Sequence, residues 1–217
     1  MKKEIVIFIG CLLCFIGSMA QEIDTTAFSK KYYHMKSKFE TLPDGRKEII
    51  FLGNSITEQG SWRELFKNDN IINRGISGDY TDGILFRLSE VTSSKPIKIF
   101  LLIGTNDIRY GRTVEYIVNR NQQIVQRIKK ESPKTKIYLQ SILPTYGRKE
   151  RPIDTIKTIN RGLERVARQE NIKYIDLFSH FIDNTGFLVK KYSLDGLHLN
   201  GEGYLKWKTL IEVDVND

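Results

Sequence analysis

Ser55 sits in the stretch FLGNSITEQG, residues 51–60, where an apolar run stops at Gly53 and small or polar residues follow. A strand that ends in so tight a turn delivers a hydroxyl to the edge of a sheet, where it becomes a candidate nucleophile. Serine alone is a weak one. It needs a base to take its proton, a third group to orient that base, and preorganised donors for the oxyanion of a tetrahedral intermediate. The chain has three histidines. His34 lies in an N-terminal appendage and His180 in LFSHF, where a packed or surface imidazole is the ordinary expectation. His198 lies in SLDGLHLNGEGY, with Asp195 three residues before it. One turn of loop brings that carboxylate to Nδ1 and leaves Nε2 free to face Ser55. Asn200 reads as the cap of the helix that follows.

Two further loops supply donors. Gly78, in NRGISGDYTDG, permits close approach of a backbone N–H, and Asn106, in IGTNDI, carries a side-chain amide. The N–H of Ser55 makes a third donor, and the helix after Ser55 turns its N-terminal dipole toward the site. Taken singly, Ser55 and Asn106 read as capping residues, Gly78 as a helix-entry glycine and Asp195 as a turn former. Their joint occurrence, in chain order at the ends of successive elements, points to ester hydrolysis through an acyl-enzyme.

Those ends belong to a regular pattern. Apolar runs of strand length cover residues 48–53, 70–76, 97–104, 136–143 and 172–178. They are continuous rather than alternating, as strands covered on both faces require. Helical stripes lie between them, with Val114, Ile117, Val118, Ile124, Val125 and Ile128 in one. A second holds Ile156, Ile159, Leu163, Val166 and Ala167. Alternating strands and helices predict a parallel sheet with helices on both faces, and ligands bind beyond the carboxyl ends of such strands. Phe28, Tyr32, Met35 and Phe39 have helical spacing before a Pro43-Asp44-Gly45 turn, so residues 21–46 read as a helical extension and 47–217 as the main domain.

Ser55, Gly78, Asn106 and the Asp195-x-x-His198 pair resemble, as a set, the four blocks of the SGNH hydrolases, the GDSL-type esterase and lipase superfamily. The resemblance spans roughly residues 47–210. NRGISGDYTDGILFRL is especially similar to the second block of the esterases like platelet-activating-factor acetylhydrolase and the bacterial thioesterase/lysophospholipase. The resemblance implies a flavodoxin-like three-layer α/β/α sandwich with a five-stranded parallel sheet. It implies Ser55, His198 and Asp195 as the catalytic triad, and the Ser55 N–H, Gly78 N–H and Asn106 amide as the oxyanion hole. Asn54 departs from the Gly-Asp-Ser of the first block, a change that still leaves a capping side chain. Thr57 stands where the G-x-S-x-G elbow of larger α/β hydrolases has its second glycine.

The remaining features bound the setting. Residues 1–20 have Lys2 and Lys3, an apolar stretch of about twelve residues and a Ser18-Met19-Ala20 ending, which predicts an export signal cleaved after Ala20. That stretch is too short to span a bilayer, so no stable membrane anchor is expected after cleavage. Both cysteines, Cys11 and Cys14, fall in the signal, so the mature chain offers neither a thiol nucleophile nor a thiolate metal site. The formal charge of +8 is scattered over helix faces among acids and amides, as on a solvated surface, and no nucleic-acid partner is expected. The mechanism calls for no metal and no organic cofactor. The loops RYGRTVEY and PTYGRKERPID are short and polar, and Arg109, Tyr110, Tyr146 and Arg148 are candidates to line an open cleft. A short, polar cleft predicts acetyl or other short acyl esters on a carbohydrate. A lysophospholipase or acyl-thioesterase working on larger acyl groups is the alternative enzyme. A non-catalytic glycan- or lipid-binding protein is the alternative outside enzymes, though no catalytic residue is missing. A flavin- or nucleotide-binding protein fits poorly, since GNSITEQG lacks a phosphate-cradling glycine pattern.

Overall fold

The computed structural model describes residues 22–217; the expected export signal lies outside them. A first helix, α1 (Lys30–Thr41), precedes β1 (Ile49–Gly53), the single turn α2 (Ser55–Glu58), α3 (Trp62–Phe66) and β2 (Ile71–Gly75). Then come α4 (Thr81–Ser93), β3 (Lys98–Leu102), α5 (Thr105–Arg109), α6 (Val114–Glu131) and β4 (Lys136–Gln140). The chain closes with α7 (Ile153–Gln169), β5 (Lys173–Ile175), α8 (Phe178–Phe181), a 3-10 turn at Lys190–Tyr192, and α9 (Gly201–Asn216).

The five strands form one parallel sheet in the order β2-β1-β3-β4-β5. Successive residues of each strand feed opposite faces. Ile50, Leu52, Ile99, Leu101 and Leu139 pack under α4, α6 and α7 with Ile84, Ile124, Ile159 and Leu163. Phe51, Phe100 and Tyr138 face the other way, toward Trp62, Phe181, Trp207 and Ile211 on α3, α8 and α9. On that face Tyr138 stacks on Phe100 at 4.4 Å, Phe100 on Phe51 at 5.0 Å, and Phe51 on Trp62 at 4.2 Å. This aromatic run ties β4, β3 and β1 to α3. The result is the expected three-layer α/β/α sandwich.

The apolar runs overshoot the ladders at their C-terminal ends. Residues 141–143 stay buried after β4 stops, and 176–178 lead into α8 after β5. Burial continues there because the loops fold over the sheet edge, so hydropathy cannot mark where pairing ends. Phe28 lies just outside α1, because Ser29 caps the helix by accepting from the Tyr32 N–H; its ring still stacks on Tyr32 at 4.2 Å. The Tyr32 hydroxyl donates to the Gly83 carbonyl at 2.7 Å, which pins α1 to α4.

Sheet order reverses between β1 and β3, and the loops after these two strands carry Ser55 and Asn106. Beneath them lies a fully buried ion pair. Arg87 Nε on α4 is 2.9 Å from Asp79 Oδ2, and both side chains are excluded from solvent. Arg87 Nη2 also donates to the Arg74 carbonyl at 2.7 Å and the Gly53 carbonyl at 3.3 Å, which ties the ends of β2 and β1 to the loop after β2.

Gly53 is fixed by space. A Cβ there would lie 2.3 Å from Thr57 Oγ1 and 2.5 Å from the Leu102 carbonyl oxygen. Gly53→Ala must push β3 or the Ser55 turn aside. The expected cost is about 1–3 kcal/mol, the usual range for overpacking. It should appear as a lower urea midpoint with an unchanged m-value; a wild-type midpoint would contradict the tight packing of this turn.

Candidate active site

Ser55 is the first residue of α2. Asn54 before it caps the turn, its Oδ1 accepting from the Ile56 N–H at 3.0 Å, as an aspartate would. The exchange for the usual acid leaves Asn54 Nδ2 buried without a hydrogen-bond partner among the described residues. Asn73 Nδ2 holds the far end of the turn by donating to the carbonyls of Thr57, Glu58 and Gly60 at 2.9, 3.0 and 3.1 Å. The helix after Ser55 is a single turn of four residues, so few peptide dipoles align there. The expected dipole contribution is therefore small, and local N–H groups matter more.

His198 Nε2 lies 3.0 Å from Ser55 Oγ, across 143 residues of sequence. His198 Nδ1 lies 2.7 Å from Asp195 Oδ2. The two carboxylate oxygens divide the work. Oδ1 accepts from the N–H groups of Leu197 at 2.9 Å and His198 at 2.8 Å, which fixes the carboxylate in its loop. Oδ2 faces the imidazole. Burial pushes the Asp195 carboxyl up, but the hydrogen bonds from the His198 ring and from the His198 and Leu197 backbone outweigh it and hold the group well below the usual carboxylate range. An ionised Asp195 can only accept, so Nδ1 carries the proton and the Nε2 lone pair points at the serine hydroxyl. Asn200 caps α9 by accepting from the Gly203 N–H at 3.0 Å, as its position predicts.

Gly78 has φ +83°, a left-handed conformation that other residues adopt with strain, and open space around its Cβ position. Backbone conformation, not crowding, demands glycine. The Asn106 amide is held at both ends: Nδ2 donates to the Asp79 carbonyl at 2.9 Å, and Oδ1 accepts from Arg151 Nη2 at 3.2 Å. The oxygen is thus occupied by a cation and one of the two Nδ2 hydrogens by a carbonyl, which leaves a single amide hydrogen to present. Beside it, Asp107 accepts from the Thr81 N–H at 3.2 Å and the Thr81 hydroxyl at 2.5 Å, joining α5 to α4.

The other predicted residues follow β3 and β4 in the chain. Arg109 and Tyr110 are exposed at the end of α5, and the Tyr110 ring meets Tyr80 edge-on at 5.4 Å. Tyr146 is half-buried against the aromatic face of the core, and its N–H donates to the Gly196 carbonyl at 3.0 Å. His34 and His180 are exposed and take no part. Two arginines have larger parts than the sequence suggests. Arg148 Nη2 lies 3.2 Å from Asp195 Oδ2, the oxygen that also meets His198. Arg151, almost wholly buried, orients Asn106 and also donates from Nε to the Thr105 carbonyl at 3.2 Å. Nothing in RKERPID distinguishes Arg151 from a surface charge; its proximity to Asn106 is set by tertiary structure alone. Among the described residues, no cluster of histidine, cysteine and acidic side chains has the makings of a metal site, and no helix is long and apolar enough to cross a membrane.

This geometry coincides with a family assignment. The model of the GDSL-like lipase/acylhydrolase family matches residues 51–206, and the chain belongs to that family. It is a carboxylic ester hydrolase of the acylhydrolase type. Subunit alpha2 of platelet-activating factor acetylhydrolase IB from Rattus norvegicus is 31% identical over 171 residues, covering 75% of this chain and 73% of that one. A GDSL-like lipase from Bacteroides thetaiotaomicron superposes with a TM-score of 0.74 at 25% identity, over 85% of this chain and 97% of the other. An acetyl xylan esterase shares the fold, with a TM-score of 0.68 at 20% identity, over 77% of this chain and 99% of the other.

Asp107 gives the site a stability signature. Burial raises its carboxyl to about 6, despite the hydrogen bonds from Thr81. Between the ordinary value of 3.8 and about 6, the native side chain holds a proton that the unfolded chain has released. Folding takes up a proton in that window, so the contribution of Asp107 to stability falls as pH rises through it and levels off above. The total change is on the order of 3 kcal/mol. Denaturation of wild type and Asp107→Asn from pH 4 to pH 7 should show a stability difference that moves against the wild type by about this much. A difference independent of pH would show that Asp107 is ionised throughout.

Proposed function

We propose that Ser55 is the nucleophile of a serine esterase, with His198 as its base and Asp195 as the group that orients the base. The observation that carries this is the 3.0 Å approach of His198 Nε2 to Ser55 Oγ, with Asp195 at 2.7 Å behind the ring. Ser55 Oγ attacks the acyl carbon while its proton passes to Nε2. Negative charge collects on the carbonyl oxygen, where the N–H groups of Ser55 and Gly78 and the free amide hydrogen of Asn106 receive it. The bond to the alcohol oxygen then breaks, and His198 returns the proton to the departing alkoxide. Water, deprotonated by the same nitrogen, attacks the acyl-serine and releases the acid. Asp195 stays ionised throughout and stabilises the imidazolium that forms at each step.

The favoured acyl group is acetyl. The naming of relatives as platelet-activating factor acetylhydrolases supports that factor as the first ester to try, ahead of an acetylated sugar. The likeness to an acetyl xylan esterase is one of fold alone. A lysophospholipase or thioesterase reading would be favoured by rates that rise with acyl length. Arg109, Tyr110 and Tyr146 form part of the cleft rim in this proposal. Residues 1–20 direct export and are removed after Ala20, leaving residues 21–46 as a helical extension on the hydrolase domain of 47–217; N-terminal sequencing of the exported protein checks the cut.

Ser55→Ala should abolish both labelling by a fluorophosphonate probe and turnover of p-nitrophenyl acetate, with the fold retained by circular dichroism. Labelling of the alanine variant would remove Ser55 from the chemistry. A wild-type chain that binds glycans or lipids without labelling would instead be a binding module. Asn106→Ala should lower kcat by about 10²–10³, the cost of one oxyanion donor.

A further inference from the structure

The residue before Gly78 is held by an acid from the turn that carries Ser55. Glu58 is the last residue of α2, and its backbone N–H donates to the Asn54 carbonyl at 2.8 Å. Its side-chain Oε2 accepts from the Ser77 N–H at 3.0 Å and from the Ser77 hydroxyl. Lys31 of α1 approaches the other oxygen, with Nζ 3.0 Å from Glu58 Oε1, an exposed pair worth little by itself. Backbone packing leaves no slack beneath these contacts, since a Cβ on Gly75 would lie 2.2 Å from the Glu58 nitrogen. The end of β2 and the end of α2 are thus packed backbone to backbone, and one carboxylate bridges from α2 to the loop after β2.

Ser77 and Gly78 are the central pair of a four-residue turn, closed by the Asp79 N–H donating to the Ile76 carbonyl at 3.0 Å. Gly78, at φ +83°, has the conformation of the third residue of a type II turn. In a type I turn that residue takes a φ of about −90°, and the peptide between the two central residues is turned over. That peptide contains the Gly78 N–H, so the direction of this N–H depends on which turn the loop adopts. Nothing lies within 4 Å of the Gly78 Cβ position, so crowding at the glycine does not decide it. The turn is held from its two flanks instead. Asp79 is fixed by Arg87 at 2.9 Å, and Ser77 is fixed by two donors gathered on one oxygen of Glu58.

We propose that Glu58 is a positioning residue for the oxyanion hole: through Ser77 it holds the turn that aims the Gly78 N–H at the acyl oxygen. The proposal rests on Ser55 as the nucleophile and Gly78 as an oxyanion donor, and deepens that reading with a residue outside the triad. Glu58 touches no reacting atom. Because a single oxygen takes both Ser77 donors, the carbonyl oxygen of a glutamine can stand in its place. Aspartate, one methylene shorter, cannot reach from the same backbone.

The test compares p-nitrophenyl acetate with its thiono analogue, in which sulfur replaces the carbonyl oxygen, each rate being taken relative to hydrolysis by hydroxide. Sulfur is a weak hydrogen-bond acceptor, so an oxyanion hole favours the oxygen ester. Glu58→Ala should lower kcat/KM for the oxygen ester by about tenfold or more, part of what the loss of one oxyanion donor costs. It should lower the value for the thiono ester much less, so that the wild-type preference for oxygen shrinks. Glu58→Gln should restore the preference and Glu58→Asp should not. A variant that is merely loosened loses rate on both esters alike. Ser77→Ala removes one of the two donors, should reduce the same preference, and carries the test if Glu58→Ala does not fold. A preference left unchanged by Glu58→Ala, or by Ser77→Ala in its stead, would overturn the proposal, as would one that Glu58→Gln fails to restore. Fluorophosphonate labelling of wild type separates the two levels. A wild type without labelling, or without preference for the oxygen ester, removes the underlying reading. A labelled wild type whose preference Glu58→Ala leaves intact removes the role of Glu58 alone.

Discussion

The buried pair between Arg87 and Asp79 is the constraint on which the site depends. Two charges are taken wholly out of water, and neither can be removed without stranding the other, a loss that commonly costs about 3–5 kcal/mol. What the pair holds explains its place. Arg87 accepts no partner at random: it bonds the carbonyls that end β1 and β2. Asp79 accepts from the Tyr80 N–H at the entrance to α4, and its own carbonyl accepts from the Asn106 amide. Three loops that share no local sequence are thereby measured from one point. Burial lifts the Asp79 carboxyl to about 6 even with the guanidinium beside it.

The second level of organisation is the loop from Ser193 to His198. The Gly196 N–H donates to Ser193 Oγ at 2.9 Å, and Asp195 Oδ1 takes two backbone donors, so the loop is braced from within before the imidazole is placed. Gly196, at φ +78°, leaves no room for a Cβ, which would lie 2.2 Å from the Tyr146 carbonyl oxygen. The same contact brings the Tyr146–Arg151 segment alongside, and with it Arg148 and Arg151. One segment therefore touches both the carboxylate behind the His198 ring and the Asn106 amide.

Most of the architecture was legible in the sequence because parallel strands covered on both faces leave continuous apolar runs, and amphipathic helices leave stripes. The meeting of Ser55, His198 and Asp195 was legible because the chemistry proposed for them restricts residue type and, for Asp195 and His198, spacing. The contact of Arg148 with Asp195 and that of Arg151 with Asn106 were not, although Arg148 was already a candidate for the cleft. An arginine in a polar loop looks the same whether it faces solvent or a buried amide, and only the fold tells that Arg151 is 3% exposed. Asp79 and Arg87 were hidden for a related reason, since eight residues on a helix and its entry loop do not reveal that both are dry. The one-turn length of α2 also escaped prediction, because ITEQG carries no breaker before Gly60.

The clamped amide of Asn106 has a geometric consequence. With its oxygen held by Arg151 and one hydrogen by Asp79, the group cannot turn over to offer its other edge. In the proposed assignment, the developing alkoxide can then lie on one side of the acyl plane only. Attack from the Ser55 side therefore creates a single hand of the tetrahedral centre. Chiral phosphonates that mimic that centre would meet a pocket with a fixed handedness, set by an arginine that never touches them.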